Sequence, residues 1–251
     1  MTQPKTTVLT QISLAFFVIG LATALLVQVI YTWGVIESTQ FDRSDPGLFA
    51  ADEPVDSFRC PLLITSGETA TVTASFSNPT ELERTRIVRA NVSDGFIIAR
   101  REITTDLLLA PGETEVLSWE ISSDDAAWER FVFVRVFALR SGAAIPAQVS
   151  TCSVLLLNVA GIPGSWLATG LLALSILGSI GGLAGWVLTK RPLSASDQPK
   201  GYLMAVVTGV ILFGLYVSLN NYWVINILLL VVVLFLLISI GLYGTKTGEN
   251  V

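Results

Sequence analysis

Residues 178–186 read GSIGGLAGW, four glycines in nine positions, inside a stretch without a charged residue from Asn158 to Thr189. As a glycine-rich loop this segment would cradle phosphate in a soluble sheet protein. As a helix it would cross a membrane. A phosphate loop follows a strand and carries a Lys-Ser/Thr pair, and this segment has neither. In lipid no water competes for the backbone hydrogen bonds, so a helix survives its glycines. On such a helix Ser175, Gly178, Gly182 and Gly185 share one narrow face. Gly178/Gly182 and Gly181/Gly185 both have the four-residue spacing that lets two helix backbones approach closely. Two partners are open for that face: the small residues Ala205 and Gly209 of a later apolar segment, or a span from another subunit.

The rest of the chain supports the membrane reading. Of 251 residues, 52% are hydrophobic and 14% charged, against about 25% charged in an ordinary soluble domain. Val8–Trp33, Trp166–Leu188, Tyr202–Leu219 and Trp223–Tyr243 are four apolar runs, each close to the roughly 20 helical residues that cross a hydrocarbon core. Aromatic residues mark their ends, as interfacial belts do: Tyr31 and Trp33, Trp166, Trp186, Tyr202, Tyr222 and Trp223, and Tyr243. Ala22-Thr23-Ala24 resembles a signal-peptidase site, but the apolar run continues to Ile30. An uncleaved anchor is therefore expected.

Short loops carry the topology signal. Lys5, Lys190, Arg191, Lys200 and Lys246 flank the spans on one side, while Asn220-Asn221-Tyr222 is uncharged. The positive-inside rule then places both termini and the 190–201 loop in the cytoplasm, in an integral plasma membrane, and residues 34–165 outside. That outer region holds 18 acidic residues and ten arginines, a net of −8. Such a surface disfavours nucleic acid. The expected layout is 1–36 for the first span with its short tail, 37–58 for an acidic linker and 59–158 for an outer domain. The second span with its approach occupies 159–189, the basic loop 190–201, and the last two spans 202–251.

The outer domain has the period of strands. Thr71–Ser77 (TVTASFS) puts Val72, Ala74 and Phe76 on one face. Val88, Ala90 and Val92 repeat the pattern, as do Leu117, Trp119 and Ile121. Phe131–Phe137 (FVFVRVF) is apolar on nearly both faces and should be a central strand. Turn signals separate the runs at Ser66-Gly67, Asn78-Pro79, Asp94-Gly95, Pro111-Gly112 and Ser141-Gly142. About seven short strands so punctuated imply an all-β, immunoglobulin-like antiparallel sandwich lying between the first two helices of the chain. Cys60 at its start and Cys152 in its last strand are expected to be bridged in an oxidising compartment. The bridge would close a loop worth roughly 4 kcal/mol in chain entropy.

The turn at Gly67-Glu68-Thr69 echoes at Gly112-Glu113-Thr114, each just before an alternating strand. With SGETATVTASFSNPTE, the Asp94-Gly95 turn and LLLAPGETEVLSWEI in that order, residues 59–157 resemble the CARDB-type immunoglobulin-like domains of bacterial and archaeal surface proteins. The resemblance implies a fold and an extracytoplasmic setting. It implies no activity, because sandwiches of this kind host many functions. The two cysteines are not part of the general pattern.

Chemistry-bearing constellations are few. There is no histidine, and neither cysteine sits in a CxxC, so no cofactor, metal site or catalytic triad is expected. Asp42–Gly47 has carboxylates at short spacing but not the ligand series of a calcium loop. Asp124-Asp125 with Glu129 and Arg130 reads as a solvated turn rather than an acid–base pair. Arg84, Arg86, Arg89, Arg100 and Arg101 form either a basic stripe for an anionic partner or cross-strand pairs with Glu81, Glu83 and Glu102. Asn91-Val92-Ser93 is a glycosylation sequon whose asparagine should face solvent if Val92 faces the core. No ionisable residue lies in the apolar cores of the spans, which weighs against ion-coupled transport. Asn226 in the fourth span either bonds across helices or reaches the interface. The expected function is a non-catalytic accessory or assembly subunit, surrounded by lipid and other membrane subunits, with an outer protein partner. A stand-alone adhesion or sensing protein is the alternative, and a carrier or enzyme for a lipid-like substrate the weakest reading.

Overall fold

The computed structural model describes residues 4–41, 53–142, 144–159, 161–195, 197–220 and 222–248. The acidic turn at Asp42–Gly47 lies outside them. In chain order the elements are α1 (Pro4–Gln40), β1 (Leu63–Thr65), β2 (Thr69–Ser77), β3 (Arg84–Asp94), β4 (Phe96–Leu109) and β5 (Thr114–Ser122). Then follow β6 (Phe131–Ala138), β7 (Gln148–Leu157), α2 (Gly164–Thr189), α3 (Gln198–Leu219) and α4 (Trp223–Gly248). The chain divides into a helical unit, 1–32 with 169–251, and a sandwich unit, 33–168.

The sandwich unit has a five-stranded sheet in the order β1-β7-β6-β3-β4 and a two-stranded sheet, β2-β5. All pairs are antiparallel except β1 with β7, where Leu63 pairs Leu155. That parallel pair departs from the expected all-antiparallel arrangement. β1 has only three residues, and the turn at Gly67, with φ +77, sends the chain at once to the other sheet. The core between the sheets holds the alternating residues read from sequence: Val72, Ala74 and Phe76; Val88, Ala90 and Val92; Trp119 and Ile121; Val132, Val134 and Val136.

β6 is buried along its whole length. Its even-numbered residues face the core, and its odd-numbered ones are covered on the outside. The last two turns of α1 belong to this unit and supply part of that cover. A Cβ at Gly34 would meet Phe131 and Ser153, and Phe41 stacks on Phe133 with centroids 5.9 Å apart. Arg135, in the middle of FVFVRVF, donates through Nη1 to the Phe41 carbonyl at 3.1 Å. A buried cation thus meets the carbonyl end of a helix, where the dipole favours it. The helix consequently continues to Gln40, past the expected boundary at 36.

The expected linker is also shorter than 37–58. Glu53 bridges Gln148, Arg59 pairs Thr73, and buried Val55 donates its N–H to Ser150 Oγ. Residues 53–60 are an arm of the sandwich, because their backbone groups find partners on its strands. The Cys60–Cys152 disulfide is formed, and it fastens this arm, rather than β1, to β7.

In the helical unit α1, α2 and α3 are each long and apolar enough to cross a membrane, and α4 has a described apolar run over Trp223–Leu236. Phe17, Leu21 and Ala24 of α1 form one core with Val207 and Ile211 of α3 and Val233 of α4.

Candidate functional site

Three places gather polar or close-packed groups: the glycine face, an amide cluster in the helical unit, and the arginines of the sandwich.

The glycine face meets α1. A Cβ on Gly178 would lie 2.8 Å from Gly20 Cα, and one on Gly182 would lie 2.4 Å from Phe17 N. One on Gly185 would lie 2.6 Å from Ser13 Oγ, and Thr10 Oγ1 donates to Thr189 Oγ1 at 3.2 Å. The contacts descend α1 as they climb α2, so the helices cross antiparallel with backbones touching. Ser175, at the start of this face, is fully buried. Gly181, Gly209 and Ala205 do not join it. A Cβ on Gly181 or Gly209 would meet open space, and Ala205 is exposed. Of the two partners open to this face, the α3 residues Ala205 and Gly209 are thereby corrected to α1 of the same chain. Spacing named the face but not which of three helices would fill it. Ser13, Gly20 and Ala24 carried a signal of their own, small residues recurring at helical spacing on α1.

The amide cluster joins α1, α3 and α4. Gln28 Nε2 donates to the Ile211 carbonyl at 2.7 Å, and Asn226 Nδ2 donates to Thr32 Oγ1. Gln28, Thr32 and Asn226 are all buried. Gly214 makes room for both amides: a Cβ there would lie 2.6 Å from Gln28 Oε1 and 3.2 Å from Asn226 Oδ1. Of the two roles open to Asn226, the structure takes the bond across helices. Gln28 was missed in the sequence, although an amide inside an apolar run is a visible signal. Asn226 Oδ1 and Ser218 Oγ are buried without a hydrogen-bond partner.

The sandwich arginines do not form a stripe. Arg86 points inward and is 1% exposed, its guanidinium 5.5 Å above the Phe76 ring. Its Nη2 donates to Gln148 Oε1 at 2.7 Å and to the Pro146 carbonyl at 3.2 Å. Desolvation lowers its pKa from the ordinary arginine value, opposed by the nearby charges of Asp56 and Glu53. Its inward position follows from parity, since Arg86 shares a face with Val88, Ala90 and Val92. Arg89 and Arg100 lie within 3.8 and 4.0 Å of Glu102. Arg101 reaches Asp125 at 3.1 Å and the Glu120 carbonyl at 3.1 Å. Arg84 is half-buried at the start of β3.

Asp124 and Asp125 belong to a 3₁₀ turn. Asp125 accepts from the Ser122 N–H, and the Ser122 hydroxyl accepts from the Asp124 N–H. This is a reciprocal cap, which satisfies the turn's otherwise orphaned donors. Asn91 is 5% exposed and opposes Arg135 across the β3–β6 ladder. Its expected exposure is thereby corrected, because both faces of β3 are covered at this point. One acid was overlooked. Glu68 accepts from Thr65 N–H, Thr65 Oγ1–H and the Gly164 N–H that opens α2, at 2.9, 3.0 and 2.8 Å. Partial desolvation pushes its pKa up, but these bonds outweigh it and hold the carboxyl below its ordinary value. Among the described residues, no cluster of three metal-ligating side chains occurs.

No family model matches the chain, and no curated protein matches it. A CARDB domain from Pyrococcus furiosus, solved in complex with di-metal ions, is similar over 47% of this chain and 98% of that one, at 14% identity and TM-score 0.33. A β-glucosidase from Listeria innocua is similar at 16% identity and TM-score 0.28. It covers 41% of this chain, while this chain spans only 15% of that enzyme's length. Bacteroides uniformis β-glucuronidase 2 is similar at 15% identity, with 42% and 13% of the two chains covered and TM-score 0.27. Likenesses this slight carry neither an activity nor a metal to this chain. The sandwich stands on its own strand order and register.

Proposed function

We propose that this chain is a non-catalytic accessory subunit of a membrane complex. Four helical spans anchor it, and the immunoglobulin-like sandwich between the first and second is presented on the extracytoplasmic side for protein contact. One observation carries the reading: the groups best suited to chemistry are spent on packing. Both cysteines are joined to each other, Arg86 is sealed in the core, Asp125 caps a turn, and Gln28 and Asn226 bind neighbouring helices. The exposed charge pairs of the sandwich contribute little stability of their own, so its surface is available for contact. The cytoplasmic 190–201 loop is too short to form an output domain for a sensor.

The test is purification of the full chain in a mild detergent, with companions identified and quantified by mass spectrometry. A companion at fixed stoichiometry is the expected result. A chain that emerges alone and binds a ligand through the sandwich would overturn the reading in favour of a free-standing adhesion protein.

A further inference from the structure

The sandwich unit has one end at which both helices leave it. Gly34 of α1 lies against Phe131 and Ser153, and Gly164 of α2 lies against Leu63. Phe131 and Leu63 are both paired with Leu155. The β3–β4 turn lies at this same end, since Val92 pairs Val134 and the chain then reverses at Gly95, φ +71. Trp128 donates its N–H to the Gly95 carbonyl at 3.2 Å, and Ala127 bridges Phe131.

Among the described residues, the large side chains exposed here are Val159 and Ile162 together with four aromatic ones. Phe96 is 64% exposed, and Trp33, Trp128 and Trp166 are also open. At the opposite end the exposed large residues are Leu82, Leu108 and Val116, all aliphatic. Trp128 and Glu129 are consecutive non-glycine residues with φ of 53° and 55°. Backbone of that kind persists only where its surroundings impose it. Here it holds an indole outward, edge-on to Phe133.

We infer that this end of the sandwich is seated in the lipid interface, with Phe96 and Trp128 extending the aromatic belt begun by Trp33 and Trp166. The inference rests on the membrane reading above and adds a second, non-helical attachment. Aromatic side chains favour the headgroup level, where one part of the ring is apolar and the other wet. Continuity argues for lipid as the occupant, because two apolar helices emerge beside these residues. Charge decides the lipid class. Asp94, Asp124 and Glu129 are exposed near this end, with Arg130 nearby, while Arg100 and Arg101 at the same end are engaged by Glu102 and Asp125. The seat therefore gains nothing from anionic headgroups and takes the neutral interface of a phosphatidylcholine-type bilayer.

Because the native cysteines are bridged, single cysteines can be spin-labelled selectively. The full chain is reconstituted in phosphatidylcholine vesicles with a label at Phe96→Cys, Trp128→Cys, Val116→Cys or Leu177→Cys. Collision with oxygen and with a water-soluble nickel chelate is then measured. Val116 reports water at the far end, and Leu177, 71% exposed on α2, reports hydrocarbon. Labels at 96 and 128 are expected to fall between these two, with nickel collision several-fold below that at 116 and no change when anionic lipid is added. Nickel collision at 96 and 128 equal to that at 116, with 177 reading hydrocarbon, would overturn the seat alone. Shielding from both reagents would overturn it in favour of a protein cover. An aqueous reading at 177 would overturn the membrane reading itself. Phe96 makes no ring contact in the described structure, so its variant keeps the test valid if the Trp128 variant fails to fold.

Discussion

The two units hold themselves together by opposite means. The sandwich buries side chains between sheets, covers β6 on both faces and closes its arm with a covalent bond. The helical unit depends on removing side chains: Gly20, Gly178 and Gly182 let α1 and α2 touch backbone to backbone, and two amides tie α1 to α3 and α4. Solvent explains the contrast. In water, apolar area drives assembly at about 25 cal/mol per Å². In lipid that drive vanishes, and close van der Waals contact with a few hydrogen bonds must serve instead. The same substitution should consequently have different effects in the two units.

The largest expected effect is on the sandwich. Converting Cys60 and Cys152 to alanine should cost roughly 4 kcal/mol of sandwich stability by the loop-closure estimate. Thermal unfolding followed by near-ultraviolet circular dichroism would show it, and the helical signal should survive to higher temperature. Simultaneous loss of both signals would erase the contrast between the units.

The next effect belongs to the helices. Gly182→Leu places a side chain where even a Cβ would lie 2.4 Å from backbone, whereas Gly181→Leu projects into open space. Overpacking of this kind costs about 1–3 kcal/mol or more. Crosslinking yield between cysteines at Thr10 and Thr189 should fall in the first variant and hold in the second. Equal yields would reject the α1–α2 face. A smaller loss, about 0.6–2 kcal/mol, is expected when Asn226→Leu removes the bond to Thr32. Detergent-resistant helix content on titration with a denaturing surfactant measures it.

The smallest effect is acid sensitivity at Glu68. Its folded pKa lies below the ordinary value, so the stabilisation it supplies is complete above the unfolded carboxylate range. That stabilisation is lost as pH falls through the lower folded value. Sandwich melting temperature should drop with acidification, and Glu68→Gln should flatten the drop. An unchanged acid limb in that variant would remove Glu68 from the account.

Local patterns were legible where one rule acted alone. Alternation placed Val72, Val88 and Trp119 in the core, and the double-faced apolarity of Phe131–Phe137 marked a central strand. What covers its outer face was not legible, because the cover is the end of a helix some 90 residues earlier in the chain. Arg86 obeys the same alternation, but its charge points to the surface. Its burial depends on Gln148, Pro146 and Phe76, distant contacts that no local pattern shows. The glycine face was visible, and so was the small-residue stripe on α1. Their pairing was not, since spacing sets which side of a helix is flat and leaves its neighbour undetermined.

A sandwich presented outside by spans whose connecting loop lies inside has a simple signature on labelling in intact cells. With the native cysteines bridged, Val116→Cys reports the sandwich and Ala195→Cys reports the loop between α2 and α3. A membrane-impermeant maleimide should label position 116 in intact cells and position 195 only after permeabilisation. Labelling of both positions from outside, or of 195 alone, would contradict the account.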